Sequence, residues 1–124
     1  MNFIYKNPST PEQLMRNRYE AFVNNDGKYL KDTAIESTST DMSIYKNIEW
    51  LKLDVLNSHD TIVEFKAYFR ENGLIQVLHE KSNFVMQDGE WKYVDGEFFN
   101  SQIQRNELCP CGSLKKYKKC CMKN

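Results

Sequence analysis

Four cysteines lie within 13 residues near the C-terminal end of this 124-residue chain, in the order C-x-C-x8-C-C. They are Cys109, Cys111, Cys120 and Cys121, and the chain has no others. Residues 107–124 have too few apolar side chains to fold by burying a core of their own. Two close pairs of thiolates on a short hairpin can surround one tetrahedral metal ion, with Zn–S distances near 2.3 Å. The spacing therefore predicts a metal site that supplies the folding free energy that burial cannot.

Two other interpretations of the cysteines stay open at this point. Disulfides would need an oxidising compartment, and pairing within Cys109/Cys111 or Cys120/Cys121 would close small strained rings. Free thiols are the second alternative, whereas a redox-active pair is disfavoured because there is no C-x-x-C spacing. Zinc is the expected ion, although a site of four cysteines can also hold iron. With four protein ligands no position is open to substrate, so the site is expected to be structural.

The sequence predicts a cytoplasmic protein without membrane insertion. Its first residues, MNFIYKNP, lack the basic and apolar regions of a signal peptide. No apolar run reaches the roughly 18–20 residues of a membrane helix.

Charge divides the chain into an acidic body and a basic tail, although 17 basic and 17 acidic residues balance overall. Residues 1–100 carry 11 basic and 16 acidic groups, and residues 101–124 carry six basic and one acidic. Four lysines surround one aromatic residue between the cysteine pairs, which suggests a docking surface for an acidic partner or for RNA phosphates. A merely solvated face is the alternative. The candidate docking residues are Lys115, Lys116, Tyr117, Lys118 and Lys119.

Periodicity predicts helices first and then four antiparallel strands, which is an α+β arrangement. Helices are expected over residues 11–24 and 26–33, and a short helical turn after Asp41. Strands are expected over 50–56, 61–70, 74–86 and 90–99, with turns at 57–60, 71–73 and 87–89. The predicted organisation is an α+β domain over 1–100, a linker over 101–106 and a metal-binding segment over 107–124.

The stretch LCPCGSLKKYKKCC, residues 108–121, resembles the SEC-C motif, which is named from the C-terminal metal-binding segment of the translocase ATPase SecA. That resemblance implies zinc held by Cys109, Cys111, Cys120 and Cys121. The final ligand is often His in SecA-type versions, and Cys121 takes its place here. The resemblance also implies a protein-docking role, because the SecA segment contacts the export chaperone and the ribosome.

The body resembles the bacterial YchJ family at residues 10–22, 63–68, 79–84 and 91–96, which read TPEQLMRNRYEAF, VEFKAY, HEKSNF and WKYVDG. The resemblance implies a nuclear transport factor 2-like (cystatin-like) cone, a curved four-stranded sheet with N-terminal helices. Many members of that family also carry an N-terminal SEC-C copy, which these 124 residues do not include. Cone domains of this kind often dimerise through the exposed sheet face, so a homodimer is a further expectation.

Cone folds often enclose a cavity, and seven residues are candidates to line one. A His–carboxylate pair in such a cavity could act as a general acid and base. The structural alternative has His79 and Glu80 making hydrogen bonds at a strand bend, and Arg18 pairing with Glu80 or Asp95. The cavity candidates are Arg18, Tyr19, Tyr68, His79, Glu80, Tyr93 and Asp95.

The leading hypothesis is a non-catalytic zinc protein whose SEC-C segment recruits a protein or ribosomal partner, with nucleic acid involved only as ribosomal RNA. The alternative is an enzyme or small-ligand binder that uses the cone cavity around His79, Glu80 and Tyr68.

Overall fold

The computed structural model describes residues 5–36 and 41–123. Two helices, α1 (Pro11–Val23) and α2 (Gly27–Asp32), precede four strands, β1 (Ile48–His59), β2 (Ile62–Glu71), β3 (Leu74–Gln87) and β4 (Glu90–Phe99). Short 3-10 turns lie at Ser43–Tyr45, Tyr117–Lys119 and Cys121–Lys123. The strands form one antiparallel sheet in the order β1-β2-β3-β4. The predicted α+β class is therefore confirmed. The polar, Ser/Thr-rich composition of residues 36–43 predicts a loop, of which residues 37–40 lie outside the described residues.

Both helices begin at the residues that the sequence indicates. Thr10 caps α1 by accepting a hydrogen bond from the Gln13 amide at 3.1 Å, and Pro11 occupies the first turn, where its missing N–H costs nothing. Asp26 caps α2 in the same way through the Tyr29 amide at 3.2 Å. Asn25 lies between the two helices and adopts the left-handed backbone conformation, with φ 56°.

Two of the three hairpins have the turns that were expected. Asn72-Gly73 and Asp88-Gly89 both have positive φ at each residue, as a two-residue type I′ turn requires. The predicted turn over 57–60 is wrong, because β1 runs on to His59, which pairs with Ile62. A register shift between Val55 and Asn57 absorbs one extra residue, so the ladder continues through a polar stretch that resembles a loop.

The sheet has an inner face that packs on α1 and an outer face that points away from it. Val63, Phe65 and Ala67 of β2 are buried on the inner face against Leu14 and Met15 of α1. Eight partly buried apolar side chains complete this core. They are Tyr19, Tyr29, Trp50, Leu53, Val55, Leu78, Trp91 and Tyr93.

The C-terminal segment, residues 101–123, lies against the outer face. Ser101 Oγ is 2.6 Å from His79 Nδ1, and the guanidinium of Arg70 reaches Cys121 Sγ at 3.8 Å. Between these two contacts Tyr68 is only 4% exposed, although it points away from α1. The sheet therefore has a helical cover on one face and the cysteine-containing segment on the other.

None of the helices in the described part of the chain has the length and apolar character needed to cross a bilayer.

Candidate metal centre

The four cysteine sulfurs converge on one point. All four Sγ atoms lie within 4.8 Å of one another. The Cys111–Cys120 and Cys120–Cys121 sulfur distances are 3.6 and 3.9 Å, well beyond disulfide bonding. A regular tetrahedron with Zn–S bonds near 2.3 Å has edges of about 3.8 Å. The sulfurs are therefore spaced as a tetrahedral thiolate site requires.

A tight hairpin of backbone hydrogen bonds brings the two cysteine pairs together. Leu108 and Lys116 form an isolated antiparallel bridge, and the Cys109 amide donates to the Lys115 carbonyl at 2.8 Å. Two residues after Lys115, the Tyr117 amide donates to the Glu107 carbonyl at 2.8 Å. The hairpin thus holds Cys109 beside the segment that carries Cys120, with no need for an apolar core.

The hairpin loop turns through two residues of positive φ. Gly112, at φ 86°, follows Cys111 and donates to the Cys109 carbonyl at 3.2 Å. Leu114, at φ 69°, is a non-glycine residue in this conformation and completes the loop. Ser113 between them accepts from the Lys115 amide at 3.2 Å and donates to Cys120 Sγ at 3.3 Å. Its hydroxyl therefore joins the loop to the second cysteine pair.

The surroundings perturb two of the thiols in opposite directions. Hydrogen bonding from Ser113, helped by neighbouring thiols, lowers the pKa of Cys111 to about 6. Burial is the main cause that raises the pKa of Cys121 to about 12, and the Arg70 hydrogen bond opposes it. A metal ion favours the thiolate form of every sulfur that coordinates it. The donor set fits a thiophilic ion, and Cys109, Cys111, Cys120 and Cys121 are the residues that would hold it.

The predicted docking residues lie on the outside of this hairpin. Lys115, Lys116 and Lys119 are exposed, whereas Tyr117 and Lys118 are partly buried against the rest of the segment. Three exposed apolar side chains in the same segment are not among the predicted docking residues. Leu114 is 81% exposed, Leu108 57% and Met122 46%. Their absence from any helical or strand periodicity was the available signal that they do not belong to the core.

The seven cavity candidates do not line a single pocket. Arg18, Glu80 and Tyr93 meet on the inner face, whereas Tyr68, His79 and Asp95 belong to the outer face. Tyr19 packs against the core and also lines a surface groove of about 450 Å³ along α1. None of the other six candidates lines that groove.

Two of the inner-face candidates, Glu80 and Tyr93, are hydrogen-bonded to each other. Glu80 is buried and accepts from Tyr93 Oη at 2.7 Å and from Ser82 Oγ at 2.9 Å. Burial is the main cause that raises the pKa of Tyr93, and its hydrogen bond to Glu80 adds to the shift. Sequence reasoning missed Ser82, although alternation along β3 places it on the same face as Glu80.

Arg18 is a partly buried cation with hydrogen-bond partners other than those predicted. Its Nη1 donates to the Leu30 carbonyl at 2.8 Å and to Thr33 Oγ1 at 2.7 Å, and its guanidinium lies 4.7 Å from the Tyr93 ring centre. The predicted pairing with Glu80 or Asp95 is replaced by these contacts, because α2 presents backbone and hydroxyl oxygens to it. Burial lowers the pKa of Arg18.

Of the outer-face candidates, His79 joins the sheet to the C-terminal segment. His79 Nε2 lies 2.7 Å from Glu64 Oε2, so His79 lies between that carboxylate and the hydroxyl of Ser101. Asp95 accepts from Asn83 Nδ2 at 2.8 Å on the exposed surface.

Two family models match separate parts of the chain. Residues 10–96 match the YchJ middle domain, which is described as NTF2-like, and residues 105–123 match the SEC-C motif. The motif and the cysteine cluster together indicate metal binding. A solution structure of a SEC-C motif containing protein from Rhodopseudomonas palustris is similar, with a TM-score of 0.66 and 32% identity, over 73% of this chain and 80% of that one. The predicted cone fold is thereby confirmed.

Curated relatives resemble the chain over most of its length. A UPF0225 protein of Serratia proteamaculans is 41% identical over 128 residues, which is 92% of this chain and 82% of that protein. A UPF0225 protein of Shewanella sp. strain MR-4 is 37% identical over 130 residues, with 93% and 79% covered. One from Vibrio vulnificus is 38% identical over 143 residues, with 94% and 86% covered. The chain therefore belongs to the UPF0225, or YchJ, family.

Proposed function

We propose that this protein is a non-catalytic zinc protein in which a metal-held C-terminal hairpin docks onto a protein or ribosomal partner. The convergence of four Sγ atoms within 4.8 Å carries the proposal. Zinc fits best because it accepts four thiolates in a tetrahedron and needs no redox partner. A fully protein-ligated ion has no position for substrate, which supports a structural role.

The surface of the hairpin supports docking. The hairpin exposes Lys115, Lys116 and Lys119 together with the apolar side chains of Leu108 and Leu114. Four thiolates and one Zn²⁺ together carry about two negative charges, so a segment with six basic and one acidic residue stays about +3 when loaded. The acidic body beside it would repel an anionic partner, which directs such a partner to the hairpin.

The cavity alternative has less support, because its residues are divided between two faces and those on the inner face already have hydrogen-bond partners. Glu80, Tyr93 and Arg18 have no need of a ligand to satisfy them. These three residues therefore contribute to the stability of the fold.

A capture experiment tests the docking proposal. Immobilised full-length protein is exposed to native bacterial lysate with and without a chelator, and bound protein and ribosomal RNA are quantified. We expect capture only from the metal-loaded protein, and weaker capture at high salt because exposed charges are screened beyond about 8–10 Å. Capture that a chelator does not change would contradict the proposal.

A matched charge reversal locates the surface. Changing Lys115→Glu and Lys116→Glu together should reduce capture strongly. The control changes two exposed body lysines, Lys28→Glu and Lys31→Glu, by the same total charge. Equal losses from both pairs would indicate a general charge effect and would count against the hairpin as the docking element.

A further inference from the structure

One contact links the cysteine cluster to a residue far away in the sequence. Arg70 is on β2, 51 residues before Cys121, and its Nη2 atom donates to Cys121 Sγ at 3.8 Å. Its other terminal nitrogen, Nη1, donates to Glu49 Oε1 on β1 at 2.8 Å. The two contacts together hold the plane of the guanidinium between the carboxylate and the sulfur.

This arrangement needs the fork of an arginine. A guanidinium has separate N–H groups in a fixed plane, so it can donate to Glu49 and Cys121 at the same time. A lysine ammonium keeps the charge but cannot reproduce both directions. A guanidinium stays protonated in proteins, so Arg70 brings a full positive charge to Cys121 Sγ.

We propose that Arg70 is a positioning residue for the metal site, acting through the thiolate of Cys121. The inference rests on the proposed metal site. Four thiolates around one divalent ion leave a net negative charge, and a hydrogen bond from a cation stabilises the sulfur that carries part of it. The same bond fixes the hairpin against the outer face, where Ser101 and His79 provide the other attachment.

The consequence is that the cone domain sets the metal affinity of the hairpin. Residues that hydrogen-bond to metal ligands typically contribute about 10–100-fold to metal affinity when they are removed. Arg70 side-chain atoms are 31% exposed and lie outside the core, so the substitution should leave the sheet folded. An effect of Arg70 on metal affinity can therefore be measured separately from unfolding.

The test is a zinc competition titration of the full chain against a chromogenic chelator of known affinity. We expect Arg70→Gln to weaken zinc binding about 10-fold or more, and Arg70→Lys to restore it only in part. Glu49→Gln should weaken it by less, because the guanidinium remains but is held less firmly. The matched control is Arg16→Gln, which removes another arginine from an exposed pair with a glutamate, Glu12. Zinc affinity should be unchanged in that control.

The possible failures are distinguishable. If wild-type protein binds zinc and Arg70→Gln binds it equally well, the inference is overturned and the proposed function stands. If Arg16→Gln weakens zinc binding as much as Arg70→Gln does, the effect is one of net charge and the inference is also overturned. If wild-type protein binds no zinc, the proposed function fails first and the role of Arg70 fails with it.

Discussion

The carboxylate of Glu80 lies directly against the backbone of Gly96, so a Cβ atom at position 96 would overlap Glu80 Oε2 and Cδ. Gly96 pairs with Ser82 across β3 and β4, and Ser82 is one of the two donors to that carboxylate. A buried carboxylate needs such hydrogen-bond donors. Glycine at position 96 has no Cβ atom, and it therefore leaves room for the Glu80 carboxylate on the inner face.

Gly96→Ala should therefore destabilise the protein. Overpacking of this kind costs about 1–3 kcal/mol, and displacing Glu80 would strain its bonds to Tyr93 and Ser82 as well. Urea denaturation measures the change in unfolding free energy. A double-mutant cycle with Glu80→Ala is the control, because the Gly96 substitution should cost less once the carboxylate is gone. Equal costs in both backgrounds would show that Glu80 is not the obstacle.

Arg18→Leu should lower stability by about 1.5–3 kcal/mol, since two hydrogen bonds from a partly buried charged group are lost. The Leu30 carbonyl and Thr33 hydroxyl would also lose a partner. The measurement is thermal and urea unfolding beside Arg16→Leu, a control on the exposed side of α1. Unchanged stability would contradict the structural role of Arg18 and revive the cavity hypothesis.

Ionisation of the Tyr68 hydroxyl should lower the stability of the protein at alkaline pH. Burial, with a contribution from the Glu107 charge, raises the pKa of Tyr68 to about 12 from the ordinary value of 10.0. Between these two values the unfolded chain has lost this proton and the folded chain keeps it, so the unfolding free energy falls as pH rises. The contribution is complete below pH 10 and is lost as pH approaches about 12.

The measurement is urea unfolding at several pH values from 9 upward, on wild type and Tyr68→Phe. The variant should show a shallower decline because it lacks the titrating hydroxyl, while other tyrosines with raised pKa still contribute. Identical slopes in the two proteins would mean that Tyr68 is not shielded by the C-terminal segment.

Ser101→Ala should loosen the start of the C-terminal segment. An ionised Glu64 is only an acceptor, so His79 in its neutral form donates from Nε2 to Glu64 and accepts from Ser101 at Nδ1. Loss of that bond should cost about 1 kcal/mol and speed amide exchange in residues 101–108. Ser58→Ala at the exposed end of β1 is the control. Exchange rates that do not change would rule out Ser101 as an attachment point.

Local patterns were sufficient for the strands, the hairpins at Asn72-Gly73 and Asp88-Gly89, and the cysteine hairpin. Each of these depends on neighbours within a few residues, such as alternation along one strand or the spacing of two thiols. The end of β1 was misjudged because Asn57 to His59 have turn-forming side chains, and only their pairing with β2 makes them a strand.

Contacts between distant segments could not be predicted in the same way. Alternation places Arg70 and Tyr68 on the face opposite Phe65, but nothing in the sequence indicates that residues 101–123 return to cover that face. The pairing of Arg70 with Cys121, and of His79 with Ser101, depends on this return. For the same reason, the cavity candidates could be named by residue type but not assigned to a common pocket.

The proposed function requires that Cys109, Cys111, Cys120 and Cys121 together hold one metal ion. Elemental analysis of full-length protein purified without chelator tests it most directly, with the double variant Cys109→Ser and Cys120→Ser as the control. We expect about one zinc per chain in the wild type, as a four-thiolate structural site would hold, and almost none in the variant. Wild-type protein with only a small fraction of one zinc or iron per chain would contradict it.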